Sequence, residues 1–385
     1  MTSKTILGIG IIGTGVIFDA YARGLGLSEL GHVVAVADLD RDRAVAKAQQ
    51  WGIESVGSSA DLLADVDIDV IINITPPAAH AAISMEALRA GKHVYVEKPL
   101  AMTITEAQQV VSVAHQSARL IGSAPDTFLG QAGQTARWAV DAGLIGQVFA
   151  ASSFVTSSKT ETWHPSPAAF YAAGAGPALD LGPYHLAHLV NLLGPVTGVL
   201  GASSTPRHVL PVTSPGRTSN SIEVTTPSHT SAIALFGDVI VTTMYSFEVW
   251  DAGLPFIEIY GTEGTIRMPK PNRFDEPVLL RRHGDESFTE IAPVAPRTTP
   301  DPPTPFRALG VEDLIRSLDG EPHRTDGRLA IHLLEVLDTI ATARPQDGLT
   351  IMQTTVGRPE ALHSGQGAGV VGVKRCSATA LDLAD

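Results

Sequence analysis

The chain predicts an α/β protein in two parts. A doubly wound parallel sheet spans residues 1–123, and an α+β domain with a large, mostly antiparallel open sheet spans 124–363. Three observations carry this. Apolar runs alternate with helix-like segments from 5 to about 120, the pattern of parallel strands joined by crossover helices. Beyond 195, strand candidates follow one another with turns between them, which calls for antiparallel neighbours. With 385 residues, 44% of them hydrophobic, the chain has enough material for two cores.

The first run, 5–12 (TILGIGII), reads as a buried strand that enters Gly13-Thr14-Gly15-Val16-Ile17 and then a helix to about 27. Paired glycines let backbone N–H groups approach a pyrophosphate at a helix N-terminus, where the macrodipole favours anions. Phe18 stands where a GxGxxG loop has its third small residue, so helix–strand packing must differ there. The second strand, 32–37, ends at Asp38, 25 residues beyond Gly13. A carboxylate there accepts both hydroxyls of an adenosine ribose and repels a 2′-phosphate, which favours NAD over NADP. Arg41 and Arg43 nearby speak the other way.

Helices are expected over 41–50 and from 59, and a third strand over 69–74 ends in Thr75-Pro76-Pro77, with His80 opening the next helix. That helix, about 78–90, stops at Gly91 ahead of the strand 93–96. Glu97-Lys98-Pro99 follows, just outside the carboxyl end of that strand, where open α/β sheets bind ligands. Thr103, three residues before Glu106, marks the start of the next helix, and a strand over 118–123 closes the first domain.

The second domain opens with a helix over 130–142 and a strand over 147–154. An irregular stretch, 155–182, carries Trp163, His164 and Tyr171 and runs into a helix over 182–193. Strands are expected over 196–202, 221–225, 231–236, 239–247, 255–261, 264–268 and 278–281. Neither face of 239–247 carries a charge, so one face should pack on helices and the other against another subunit, giving a homo-oligomer, a dimer or tetramer, through this sheet. A proline-studded connector, 292–305, leads to helices over 307–318 and 328–343, and 364–385 reads as a flexible tail.

Composition narrows the function. A net charge of −13, from 27 basic and 40 acidic residues without a basic cluster, argues against nucleic acid as a partner. The single cysteine, Cys376, permits neither an internal disulfide nor a CxxC site, in keeping with a reducing cytoplasm. The apolar run 6–17 holds four glycines and no cleavage site, unlike a signal peptide, and no stretch reaches the ~18 apolar residues of a membrane span.

Taken together, Gly13-Thr14-Gly15, Asp38, Thr75-Pro76-Pro77 with His80, Ala90-Gly91-Lys92-His93, Glu97-Lys98-Pro99 and Gly176-x-x-x-Asp180-x-Gly182 resemble the glucose–fructose oxidoreductase/inositol dehydrogenase/MocA (Gfo/Idh/MocA) family. The resemblance runs from about 6 to 345 and is strongest over 6–105. It implies an N-terminal Rossmann domain that binds NAD through Gly13, Thr14, Gly15, Val16, Ile17, Asp38, Thr75, Pro76, His80, Glu97 and Lys98. It also implies that Lys98 touches both nicotinamide ribose and the reacting hydroxyl, and that Asp180 is a substrate ligand. The family's acid/base histidine corresponds in position to Tyr184, with His185 one residue on. Some relatives acting on sugars and dihydrodiols use a tyrosine there, which makes Tyr184 the proton shuttle and His185 its competitor. Successive helix positions point ~100° apart, so only one of the two faces the nicotinamide.

Many relatives carry an Arg-rich segment where this chain has Ala124-Pro125-Asp126-Thr127-Phe128-Leu129-Gly130. That favours a neutral polyol over an acidic substrate. Trp163 and His164 are further substrate candidates, in a loop expected over the cleft. His185 and His188, three apart with Asp180 upstream, suggest a metal only superficially, because a dehydrogenase with a proton shuttle needs none. The expected activity is NAD-dependent hydride transfer at a secondary hydroxyl of a sugar, glycoside or cyclitol. Redox-neutral cleavage of a glycoside on tightly bound NAD, and a non-enzymatic sugar or dinucleotide sensor, are the alternatives.

Overall fold

The structure, a computed structural model, describes residues 6–158, 160–172, 174–250, 252–295 and 307–362. The expected tail 364–385 with Cys376, and residues 296–305 of the connector, lie outside them.

Six strands build the first sheet: β1 (Leu7–Ile12), β2 (Gly31–Ala37), β3 (Ser55–Gly57), β4 (Val70–Asn73), β5 (His93–Val96) and β6 (Ile121–Ser123). All pair in parallel in the order β3-β2-β1-β4-β5-β6. The order reverses between β1 and β4, which opens the crevice where ligands of such sheets bind. The crossovers are α1 (Phe18–Leu25), α2 (Arg41–Trp51), α3 (Ser59–Ala64), α4 (Pro77–Arg89) and α5 (Ile104–Gln116). Local chemistry sets their starts: Asp40 caps α2, and Ser58/Asp61 and Thr103/Glu106 form reciprocal capping boxes at α3 and α5.

The second domain contributes α6 (Gln131–Asp141), β7 (Val148–Thr156), α7 (Thr160–Trp163), α8 (Pro177–Asp180), α9 (Gly182–Leu193) and β8 (Gly198–Ser204). There follow β9 (Val209–Pro211), β10 (Ser221–Glu223), β11 (His229–Phe236), β12 (Val239–Ser246), β13 (Ile257–Gly261), β14 (Gly264–Met268), β15 (Leu279–Arg282) and β16 (Thr289–Glu290). The described chain closes with α10 (Leu309–Leu318), α11 (Gly327–Thr342) and β17 (Thr350–Ile351). Nine strands form one sheet, β16-β15-β14-β13-β7-β12-β11-β8-β17, antiparallel except for the parallel pair β7/β12.

One face of this sheet buries Ala151, Val199, Ala234, Val241 and Ile259 against α6, α9 and α11. The other leaves Leu200, Ile233 and Ile240 exposed, and the register makes Ile233 a neighbour of Leu200, and Leu235 of Ile240. Among the described residues no helix is long and apolar enough to cross a membrane.

Two expectations need correction. The strand expected over 221–225 is β10, which pairs with β9 in a separate hairpin instead of joining the large sheet. The helix expected from 307 begins at Leu309 as α10 and buries Val311, Leu314 and Ile315 against the first domain, beside Ile9, Tyr21 and Tyr95. The chain thus returns to the nucleotide half after building the second sheet.

Candidate active site

The glycine loop is shaped from within the protein. Gly13 sits at φ +103°, where a Cβ would lie 2.7 Å from the Ile74 carbonyl oxygen, so only glycine lets the ends of β1 and β4 approach this closely. A Cβ on Gly15 would meet nothing within 4 Å, so the loop presents bare backbone to the crevice. Val16 and Leu39 stand fully exposed beside it, apolar side chains with no protein cover. Bare backbone at a helix start, flanked by uncovered apolar groups, fits a dinucleotide with a pyrophosphate and an adenine ring.

Asp38 is placed at the end of β2, but its carboxylate is already engaged. One oxygen, Oδ2, accepts from the Thr14 N–H and hydroxyl, both at 2.7 Å; Oδ1 accepts from the Asp40 N–H at 2.9 Å and Arg43 Nη2 at 2.6 Å. Burial alone would raise its pKa, yet these donors outweigh burial and hold it below the usual carboxylate range. Asp38 therefore locks the glycine loop to the end of β2 and is itself paired with Arg43.

Three of the expected cofactor residues also brace the loops of the site from within. Thr75 donates its hydroxyl to Asn73 Oδ1 at 2.7 Å, and its carbonyl lies 2.8 Å from His80 Nε2. His80 Nδ1 is 2.6 Å from the Pro99 carbonyl, so one imidazole ties together the loops after β4 and β5. Glu97 accepts from the Tyr21 hydroxyl on Oε1 and from the Lys98 N–H on Oε2, each at 2.9 Å. Pro76 caps α4.

Lys98 emerges where both domains converge. Its stem borders a small apolar pocket shared with Leu100, Pro125, Leu179, Pro183 and Leu334. The ammonium donates to the Asp180 carbonyl at 2.6 Å and to Asp180 Oδ1 at 2.9 Å, and lies 5.3 Å from the centroid of the Tyr184 ring. Burial alone would lower the lysine's pKa; the Asp180 charge, then Tyr184, the Asp180 hydrogen bond and Glu97 outweigh it and raise it above the ordinary value. Lys98 is thus a fixed cation with three N–H bonds, two already spent on Asp180. Asp180 ends α8 and Tyr184 lies in the first turn of α9; Gly182 between them lets α9 approach Leu337 of α11, where a Cβ would come within 2.7 Å.

Tyr184 and His185 part company as helix geometry requires. Tyr184 is half-buried beside Lys98, whereas His185 is buried beneath it, with Nδ1 2.9 Å from Ser153 Oγ and its ring packed on Tyr245 and Phe256. Burial, with His188 nearby, pushes His185 down to about 3, so at neutral pH it is an uncharged packing group. His188 points elsewhere, with Nε2 3.1 Å from the Pro271 carbonyl. Among the described residues no three His, Cys, Asp or Glu side chains converge as a metal site. Trp163, His164 and Phe170 form an edge-to-face cluster with ring centroids 5.0–6.4 Å apart, and Trp163 is 60% exposed. Among the described residues no hydrogen bond, ion pair or ring contact joins that cluster directly to Lys98 or Tyr184.

Sequence reasoning missed Arg307. This guanidinium is buried, with Cζ 5.7 Å from the Tyr184 ring centroid and 5.2 Å from that of Phe274. A cation just ahead of a helix N-terminus, where the macrodipole disfavours positive charge, was the available signal.

Comparison with known proteins places this geometry among relatives. The model of the oxidoreductase family with an NAD-binding Rossmann fold (Gfo/Idh/MocA) matches residues 7–123, and that of the Gfo/Idh/MocA C-terminal domain matches 134–267. A 1,5-anhydro-D-fructose reductase of Ensifer adhaerens is 34% identical over 146 residues, 38% of this chain and 44% of that protein. Inositol 2-dehydrogenase 3 of Saccharopolyspora erythraea is 36% identical over 112 residues, 29% and 32% of the two chains. The chain therefore matches less than half the length of each of these two relatives.

In three dimensions the fold is that of levoglucosan dehydrogenase solved with NADH and levoglucosan, with a TM-score of 0.77 and 19% identity over 91% of this chain and all of that one. It is equally that of an NAD-binding oxidoreductase from Klebsiella pneumoniae, with a TM-score of 0.76 and 23% identity over 90% and 99%. With both domain models matched in order and the motifs of each in place, the chain belongs to the Gfo/Idh/MocA oxidoreductase family.

Proposed function

We propose that this protein is an NAD-dependent dehydrogenase or reductase acting on a secondary hydroxyl of a neutral sugar, glycoside or cyclitol. One observation carries the reading: Lys98 of the nucleotide domain meets Asp180 and Tyr184 of the second domain at a single point. Gly13 to Ile17 would hold the dinucleotide phosphates, and Asp38 the adenosine ribose. Bound nicotinamide supplies the hydride acceptor in the oxidative direction and the donor in the reverse.

The rest is done by side chains. Lys98 directs its third N–H bond at the substrate oxygen and, as a fixed cation, favours the alkoxide that forms as the proton leaves. It does not take that proton itself, because its surroundings hold it charged. Tyr184 takes it. The second carboxylate oxygen of Asp180 accepts a neighbouring hydroxyl and selects the carbon that faces the nicotinamide. Positioning of this kind supplies much of the rate, since hydride transfer needs close and aligned contact. The named activities of the two relatives, on anhydrofructose and inositol, support the polyol class. We further place the protein in the cytoplasm, as an oligomer assembled through the open face of the nine-stranded sheet.

The test is a panel of polyols and glycosides followed at the NADH absorbance, with NAD and NADP supplied separately, on wild type and Tyr184→Phe. Turnover with NAD, lost by on the order of 10²-fold or more in the variant while NAD binding persists, is expected from removal of an acid/base group. Full activity of Tyr184→Phe sinks the assignment, and loss of aglycone without net NADH turns the reading to redox-neutral cleavage.

A further inference from the structure

The return of the chain to the first domain brings a second cation to the proton shuttle. Arg307, two residues ahead of α10, donates its N–H to the Ala20 carbonyl at 3.1 Å. Its own carbonyl oxygen lies so close to α1 that a Cβ on Gly24 would sit 2.1 Å away. Three residues on, the Gly310 N–H donates to Asp126 Oδ2 at 3.1 Å, and Asp126 is wholly buried. The backbone of Arg307 is therefore held against α1 of the nucleotide domain and that of Gly310 against Asp126, while the guanidinium reaches over Tyr184 and Phe274 of the second domain.

We propose that Arg307 is a positioning residue for proton transfer, which holds the Tyr184 ring toward Lys98 and favours the deprotonated phenol. The inference rests on the dehydrogenase reading above. Two cations thus lie over one phenol ring, Lys98 at 5.3 Å and Arg307 at 5.7 Å. A planar guanidinium suits this place better than an ammonium, because it stacks on aromatic faces and keeps its charge when buried.

The other titratable groups facing these cations are Tyr95 on β5 and Glu97 just after it, Tyr21 on α1, Asp126 after β6 and Asp180 on α8. Burial alone would lower the pKa of Arg307; charge on Tyr184, first among the opposing influences, then on Asp126, Glu97 and Tyr21, raises it above the usual value. The guanidinium and the electron-rich ring face attract one another, which fixes how the phenol is turned.

The experiment compares wild type, Arg307→Met and Arg307→Lys in the full chain, each with and without Tyr184→Phe. One readout is the ultraviolet difference titration of Tyr184, obtained by subtracting the matching Tyr184→Phe protein. A second is the pH profile of kcat/KM, and a third is NAD binding. Arg307→Met should move the titration midpoint and the acidic limb of the profile upward together, by about one pH unit for one lost neighbouring charge. Turnover at neutral pH should fall about tenfold with NAD binding unchanged, Arg307→Lys should restore the limb, and the loss should vanish in the Tyr184→Phe background.

An unmoved midpoint in both variants, or a loss that persists undiminished in Tyr184→Phe, overturns the inference. If the wild type turns over no polyol, the dehydrogenase reading fails by itself, while the titration still decides whether Arg307 governs Tyr184.

Discussion

Substituting Lys98 by methionine separates what this cation does for stability from what it does for chemistry. The side chain is 16% exposed and its two hydrogen bonds both end on Asp180, itself 26% exposed on its side chain. Hydrogen bonds to charged groups contribute about 1.5–3 kcal/mol each. Water reaching Asp180 recovers part of that, so Lys98→Met should destabilise the fold by about 2 kcal/mol net. Turnover should fall much further, by on the order of 10²–10³, the usual cost of removing one fixed donor from a developing oxyanion.

The double variant Lys98→Met/Asp180→Asn tells the two apart. With both partners neutral no carboxylate is stranded, so stability recovers toward wild type while turnover stays lost. Urea unfolding gives the first quantity and initial rates at saturating NAD the second. Lys98→Met enzyme that retains a tenth or more of wild-type kcat would refute the claim that this ammonium faces the reacting oxygen.

Two further outcomes follow from the second domain. Burial holds the folded imidazoles of His185 and His188 down to about 3 and about 4, against about 6.5 in the unfolded chain. Between those limits the unfolded chain binds more protons, so stability rises with pH and is lost on acidification from about pH 6.5 downward. At pH 5 each histidine should cost about 2 kcal/mol, read as the difference in urea stability between pH 7 and pH 5; His185→Gln should remove its share, and an unchanged difference would contradict the buried neutral ring. On the open face of the nine-stranded sheet, Ile233→Arg with Ile240→Arg should convert the proposed oligomer to monomers in sedimentation without altering far-ultraviolet circular dichroism, and a wild type that already sediments as a monomer at micromolar concentration would dismiss that interface.

The legible parts of this molecule are those set by short-range chemistry. The turn at Gly13, the strand leading to Lys98 and the capping box at Thr103 and Glu106 each lie within about ten residues of the signals that define them. Asp180 and Tyr184 needed the resemblance, because the phase of α9 is hidden in its sequence: apart from Tyr184, nearly every side chain from Pro183 to Leu192 is buried.

Partnership at a distance does not show in the local sequence. Nothing local says that β10 pairs with β9 outside the main sheet, that Asp38 is shared among Thr14, Asp40 and Arg43, or that His80 bridges two carbonyls. Arg307 lies 123 positions from Tyr184 in the chain, beyond any periodicity or spacing rule.

The two departures from the family pattern explain one another. A phenol has a reference pKa near ~10 and needs more positive surroundings than an imidazole, near ~6.5, to accept a proton at neutral pH. The loop after β6 does not bring a cation of its own; it brings Asp126, a buried carboxylate that burial pushes upward, with the Arg307 charge and the Gly310 N–H pulling it back. The arginine then arrives from the far end of the chain and turns its face to Tyr184, not to solvent. A guanidinium so engaged is poorly placed to receive a substrate carboxylate, and Lys98 is already committed to Asp180. With Lys98 held on Asp180 and Arg307 turned to Tyr184, the arrangement supports the proposed neutral polyol over a ligand bearing negative charge.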